Sequence, residues 1–237
     1  MDPADAFLHH LTPAQPWTDV VAMLEQLGWT PCGAGDWAVA LRSPSGALAA
    51  RISPFDPAGP YSALLYRRAA HTRQVPALVE HRVLEGGADL TVMEYLEPVS
   101  EDVGAEYHRA LAARDPSVAE LADHIDHVHA LGRAEQPWWG PLDDNPANVM
   151  HGSDGRLVVA DLFYADGPAL YATVRADPDR IVRDYPEHLR RYMTELPLTS
   201  SGGWPAGDAE RMRAALAAAD ARKRMALAAA DGRMRGR

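Results

Sequence analysis

Leu142-Asp143-Asp144-Asn145-Pro146-Ala147-Asn148-Val149-Met150-His151-Gly152-Ser153-Asp154-Gly155-Arg156-Leu157-Val158-Val159-Ala160-Asp161 is the stretch on which the fold turns. Val149-Met150 and Leu157-Val158-Val159-Ala160 are short β-type runs, and Gly152-Ser153-Asp154-Gly155 between them is turn chemistry. A hairpin brings its two ends together, so Asn148 and Asp161 should lie side by side. Two hard oxygen donors at that separation suit Mg²⁺, which takes one or two carboxylates and completes its shell with substrate phosphates. Asp143, five residues before Asn148, could face the same ion from across the loop and accept a proton from an attacking hydroxyl. Asp143-Asp144-Asn145 before Pro146 is also ordinary turn composition, and Asp161 at a strand end would serve as a cap. Spacing and hairpin context together favour the chemical reading.

Upstream of this stretch the chain changes character once. Trp17, Val20, Val21, Leu24 and Leu27 recur at helical spacing, with Pro16 before them and Gly28 after. Trp37–Arg42 and Ala47–Ile52 read as a hairpin turning at Ser43-Pro44-Ser45-Gly46. Tyr61–Arg73 reads as a helix, and Val79–Leu84 and Leu90–Tyr95 as two further strands. From Pro98 on, helices dominate: Val103–Ala113, Pro116–Leu131, and, beyond the hairpin, Ala169–Ala176 and Arg180–Glu195. Ser200-Ser201-Gly202-Gly203 reads as a flexible joint. The final helix, about Asp208–Asp231, carries Ala-Leu-Ala-Ala-Ala-Asp twice, at 215–220 and 226–231, and reads as one long helix. The expected class is α+β with two lobes. Residues 1–96 form a β-rich lobe with a leading helix, 97–200 a helical lobe, and 201–237 a linker and a basic helix.

The set Asp143-x-x-Pro146-x-Asn148, followed by a hairpin and Asp161, resembles the catalytic and metal-binding motifs of the protein kinase-like superfamily, which includes aminoglycoside phosphotransferases and other small-molecule kinases. Val92-Met93-Glu94-Tyr95-Leu96 resembles the hinge between lobes. Gly33-Ala34-Gly35-Asp36-Trp37 resembles the glycine-rich loop, and Leu48-Ala49-Ala50-Arg51 falls where the family has Val-Ala-x-Lys. The resemblance implies a bilobal kinase-like fold with ATP and Mg²⁺ as cofactors and a hydroxyl-bearing acceptor. It implies Asp143 as the catalytic residue and Asn148 and Asp161 as metal ligands. Nucleotide contacts would come from Gly33, Gly35, Arg51 and the hinge residues Glu94, Tyr95 and Leu96.

Four departures stand beside the match. Arg51 replaces the family lysine, and Lys223 is the only lysine in the chain. Tyr61–Arg73 holds no acidic residue, so the usual lysine–glutamate pair has neither member. Pro141-Leu142 precedes Asp143, and Leu162-Phe163 follows Asp161. These leave two readings: a divergent phosphotransferase, or a pseudokinase-like binding module.

Composition sets the outer bounds. One cysteine among 237 residues rules out a disulfide framework and a cysteine-based zinc cage. No apolar run approaches the ~18 residues of a membrane span, and the first ten residues lack a signal-peptide pattern, so a cytoplasmic protein with no membrane partner is expected. The net charge is −10, yet from Glu210 to Arg237 eight basic residues face three acidic ones. An acidic body argues against nucleic acid as a partner, and the basic C-terminal helix is the one segment whose charge would suit it. His124, His127 and His129, with Asp123 and Asp126, read as a polar helix face, because no third ligand stands at a defined spacing.

Overall fold

The computed structural model describes residues 11–12, 14–197 and 203–235, with side chains up to 230. The first element is helix α1, Trp17–Gln26. Five strands follow: β1 (Thr30–Ala34), β2 (Val39–Arg42), β3 (Leu48–Ser53), β4 (Leu78–Val83) and β5 (Asp89–Glu94), with helix α2 (Gly59–Arg68) between β3 and β4. They form one antiparallel sheet in the order β1-β2-β3-β5-β4. Side chains alternate across a strand, and the central strands β3 and β5 are covered on both faces. Leu41, Ala50, Ile52, Leu90 and Val92 face Val20 and Leu24 of α1 in one core. Ala49, Arg51, Thr91 and Met93 fall on the opposite face, with Arg51 directly beside Thr91 in the register.

Strand β6 (Glu97–Pro98) leads into α3 (Glu101–Ala113) and α4 (Ala119–Glu135). The expected hairpin is β7 (Val149–His151) with β8 (Leu157–Val159), and β6 pairs with β7 to make a small second sheet. Gly155, at φ +79°, closes the hairpin turn in a conformation that suits glycine. Helix α2 is the joint between the two halves. Its Tyr61, Leu65 and Tyr66, with Ala69 just after it, pack with Leu121, Ile125 and Val128 of α4 and with Val149 and Val159 of the hairpin. The class is therefore α+β, with a β-sheet first part and a helical second part, as the sequence leads one to expect.

A third core joins α5 (Gly167–Ala176), α6 (Pro178–Asp184) and the long C-terminal helix α7 (Asp208–Arg235). Met212, Leu216 and Ala219 of α7 are buried, whereas Met225 and Leu227 are exposed, so only the first copy of the repeated hexapeptide packs. Arg190, nearly fully buried, donates to both carboxylate oxygens of Asp220 at 2.7 and 2.6 Å. Arg222 pairs with Asp179 and Arg213 with Glu210. Lys223 Nζ donates to the Val182 carbonyl near the end of α6 at 2.9 Å, so the single lysine caps that helix.

Three expectations need correction. The helix expected at Tyr61–Arg73 starts at Gly59 and ends at Arg68. A 3₁₀ turn over Ala70–Thr72 follows, closed by Arg73 at φ +60°. The helix expected over Arg180–Glu195 stops at Asp184, since Pro186 has no N–H to continue it; only 3₁₀ turns follow at Glu187–Leu189 and Met193–Glu195. Strand β1 was not expected at all: Thr-Pro-Cys-Gly-Ala has no apolar alternation, is exposed throughout, and carries a register irregularity at Cys32. The joint expected at 200–203 lies outside the described residues apart from Gly203. Among the described residues, no helix is long and apolar enough to cross a membrane.

Close approach of α3 to the loop before β7 depends on Gly104. A Cβ there would sit 2.2 Å from the Pro146 carbonyl oxygen. Gly104→Ala is expected to lose about 1–3 kcal/mol of stability from overpacking, read as a lowered urea midpoint, and to disturb the Pro146–Asn148 turn directly.

Candidate active site

The loop before β7 is held against the segment that follows β8. Trp139 bridges to Ala165, the Gly140 N–H donates to the Tyr164 carbonyl at 2.9 Å, and the Asp143 N–H donates to the Leu162 carbonyl at 3.0 Å. Asp143 Oδ1 accepts the Asn145 N–H at 3.0 Å, and Asn145 Oδ1 accepts the Ala147 N–H at 3.1 Å. Two successive side-chain turns thus lead into a 3₁₀ turn over Pro146–Asn148. The ends of the hairpin meet as the spacing requires. The Ala160 N–H donates to the Asn148 carbonyl at 2.8 Å, and Asn148 Nδ2 donates to the Asp161 carbonyl at 3.2 Å. With its amide nitrogen so placed, Asn148 keeps Oδ1 as its acceptor end.

Asp161 adopts φ +52°, a left-handed conformation that aspartate tolerates better than most residues. Its N–H donates to the Tyr66 hydroxyl on α2 at 3.2 Å, while its carboxylate stays half exposed. Burial pushes the Tyr66 hydroxyl well above its ordinary pKa, so it stays neutral there.

Arg51 reaches Asp161 from the sheet. One guanidinium nitrogen lies 3.1 Å from Asp161 Oδ1 and the other 2.8 Å from Asp56 Oδ2. Asp56 is a buried acid that lies outside α2. It stands just before the helix, where its Oδ1 accepts the Ala58 and Gly59 N–H groups at 2.9 and 3.0 Å. Burial raises the Asp56 carboxyl to about 6, against the opposing pull of Arg51. Behind it lies Asp89, fully buried, hydrogen-bonded to His81 Nε2 at 2.6 Å. Gly59 makes room for that carboxylate, since a Cβ there would sit 2.4 Å from Asp89 Cγ. Asp56 stands in the site but is not among the residues that the sequence motifs single out. Its signal was present: an aspartate between Pro54 and Pro57 just ahead of a helix, five residues after Arg51.

Two cavities meet at Arg51 and Asp161. The larger, about 390 Å³, lies between the sheet and the hairpin; its lining includes Gly33, Arg51, Glu94, Tyr95, Leu96, Asn148 and Asp161. The smaller, about 200 Å³, is lined by Trp37, Arg51, Asp56, Asp143, Asp161, Phe163 and Tyr164. Seven of the nine residues singled out in the sequence thus share the first cavity, and Asp143 faces the second. Gly35 lines neither; its N–H donates to the Ala38 carbonyl within the β1–β2 turn. Gly33 belongs to β1 and not to the loop expected there. Of the groups expected to form a hinge, the Tyr95 N–H is committed to the Ala47 carbonyl at 2.8 Å, and the Tyr95 ring lies under the Arg42 guanidinium. The Glu94 carboxylate accepts the Ala77 N–H at 2.8 Å and pairs with Arg156, so it serves the scaffold. A third hollow, about 600 Å³ between α3 and α4, reaches the site through Asp143.

No family model matches the chain, and no curated protein matches it. Solved structures similar to it include an apo pseudokinase, 16% identical with a TM-score of 0.33, the match covering 83% of each chain. Two structures of the PknI kinase domain of Mycobacterium tuberculosis are 20% and 19% identical, with TM-scores of 0.29 and 0.27. Those matches cover 75% of this chain and 78% and 77% of theirs.

Proposed function

We propose that this chain is an ATP- and Mg²⁺-dependent phosphotransferase that passes the γ-phosphoryl group to a hydroxyl of a small molecule or protein. The observation that carries the reading is the shared wall. Arg51 and Asp161 line both cavities, and of the two Asp143 lines only the smaller, away from Glu94–Leu96. A nucleotide base would occupy the 390 Å³ cavity against Glu94–Leu96, its phosphates directed to Arg51. Arginine grips phosphate oxygens bidentately, which gives Arg51 a role a lysine would fill as a point charge.

Asn148 and Asp161 fit a magnesium ion by donor chemistry, since they offer an amide oxygen and a half-exposed carboxylate next to each other. When bound, the ion would neutralise charge on the phosphates. The chain's own residues do the rest. An acceptor hydroxyl in the 200 Å³ cavity gives its proton to the Asp143 carboxylate as its oxygen bonds to the γ-phosphorus. The bond from that phosphorus to the β–γ bridging oxygen breaks, and ADP leaves. Positioning and charge stabilisation are most of what phosphoryl transfer asks of a protein.

The Arg51–Asp161 contact favours one rival, a pseudokinase-like module in which the arginine holds the metal ligand and nucleotide binds without turnover. Measuring ADP release with and without candidate hydroxyl acceptors, alongside a thermal shift with Mg·ATP, separates the two. Turnover that stops in EDTA supports the phosphotransferase. A nucleotide-induced shift with no ADP release under any acceptor supports the rival, and the absence of both removes the nucleotide site.

A further inference from the structure

The helical face that carries His124 acquires a third ligand from a distant part of the chain. His71, in the 3₁₀ turn after α2, places Nε2 2.7 Å from Glu120 Oε1 on α4. His124, one helical turn after Glu120, sets its ring edge-on to that of His71 at 5.4 Å between centroids. One ligand atom from each of His71, Glu120 and His124 lies within 4.8 Å of the others. This is the one group of three such side chains among the described residues that is compact enough to hold an ion. His124 Nε2 adds a second observation. It is shielded from solvent and has no hydrogen-bond partner, one of two buried side-chain polar atoms among the described residues so placed. A buried nitrogen without a partner costs free energy that a bound ion could remove.

The neighbouring polar groups are occupied elsewhere. Asp123 and Asp126 are bridged by Arg114. His129 Nδ1 accepts the Trp139 Nε1–H at 2.9 Å and its ring stacks on Phe163. His127, one turn after His124, is exposed and is not among the three residues that converge. Of the three histidines of α4, only His124 converges with ligands from outside its own run.

We propose that His71, Glu120 and His124 form a site for a borderline divalent transition metal, with Zn²⁺ as the natural occupant. Two imidazoles and one carboxylate suit that class of ion, while Mg²⁺ and Ca²⁺ prefer oxygen ligands alone. Three protein ligands leave a fourth position open to water. The ion would tie the C-terminal end of α2 to α4 across 49 residues of sequence, and α2 begins at Gly59, next to the Asp56 that pairs with Arg51. The site stands whether or not the phosphotransferase reading holds.

The test is titration of the full chain with ZnCl₂ by calorimetry, repeated with Co²⁺ for its visible absorption. One equivalent should bind the wild type in competition with a weak chelator. Saturation should raise the melting temperature by about 5–10 °C at a hundredfold excess over Kd, and EDTA should reverse it. His71→Ala, an exposed change that leaves the fold alone, should weaken binding at least about tenfold, as even loss of an outer-shell partner does. His124→Ala should do the same, while His127→Ala leaves the affinity unchanged. Equal affinity in wild type, His71→Ala and His124→Ala, or an equal loss in His127→Ala, would overturn the site.

Discussion

Asp143→Asn is expected to lower kcat for phosphoryl transfer by about 10²–10⁴, the usual contribution of a positioned general base, while the melting temperature stays at the wild-type value. The substitution is chosen for what it keeps. Asparagine still offers Oδ1 to the Asn145 N–H, so the first side-chain turn of the loop survives. The main-chain bond from Asp143 to Leu162 is untouched. What is lost is the carboxylate that faces the 200 Å³ cavity. Asp161→Asn is the companion variant, since asparagine also tolerates φ near +52°. It removes one of the two carboxylates on Arg51 but leaves Asp56 in place. The two variants should differ in the ground state. Asp143→Asn should bind Mg·ATP as the wild type does, whereas Asp161→Asn should lose the magnesium dependence of that binding. Turnover at the wild-type rate in Asp143→Asn would remove it from the chemistry.

How far the sequence reveals this arrangement depends on whether partners are close along the chain or are read by periodicity. Asn148 and Asp161 could be paired from sequence because a tight hairpin with glycines at its turn fixes where its ends go. The strands that carry Leu41, Ala50, Ile52, Leu90 and Val92 could be recognised because they are apolar runs bounded by turn residues. Asp56 is hard to read from sequence because it lies ahead of a helix whose start is two residues earlier than the apolar pattern suggests, outside the segment in which a helix acid would stand. Strand β1 escaped because an exposed edge strand has no burial to impose alternation. The histidine cluster escaped for a stronger reason. His71 and Glu120 share no periodic element, and only the packing of α2 on α4 brings them together. The left-handed backbone at Asp161 leaves no mark in composition either; it follows from the register of β7 with β8 and from the bond to Tyr66.

The largest effect on stability is expected at Arg51. Arg51→Met keeps the aliphatic stem but strips Asp56 of its cation, leaving a carboxylate that is nearly fully buried and has Asp89 and Asp161 as negative neighbours. Removing one partner of a buried ion pair costs roughly 3–5 kcal/mol, which urea denaturation at pH 8 should show. The loss should depend on pH in a definite sense. In the wild type, burial already raises the Asp56 carboxyl from 3.8 to about 6. Without Arg51 to oppose burial, its value in the folded protein climbs further. A carboxyl with a folded pKa above its unfolded one binds its proton more readily in the native state, so this group's contribution to stability falls as pH rises through that interval. The gap between wild type and Arg51→Met should therefore be wide at pH 8 and narrow by pH 5, where Asp56 is largely protonated in both. Adding Asp56→Asn should close most of the gap at every pH, because asparagine still accepts from the Ala58 and Gly59 N–H groups and carries no charge to bury. Nucleotide affinity should not recover in the double variant, since no cation has returned to the wall between the cavities. An Arg51→Met protein as stable as the wild type at pH 8 would show that the ion pair does not hold α2 in place; a double variant that regained nucleotide binding would show that Arg51 does not hold the phosphates.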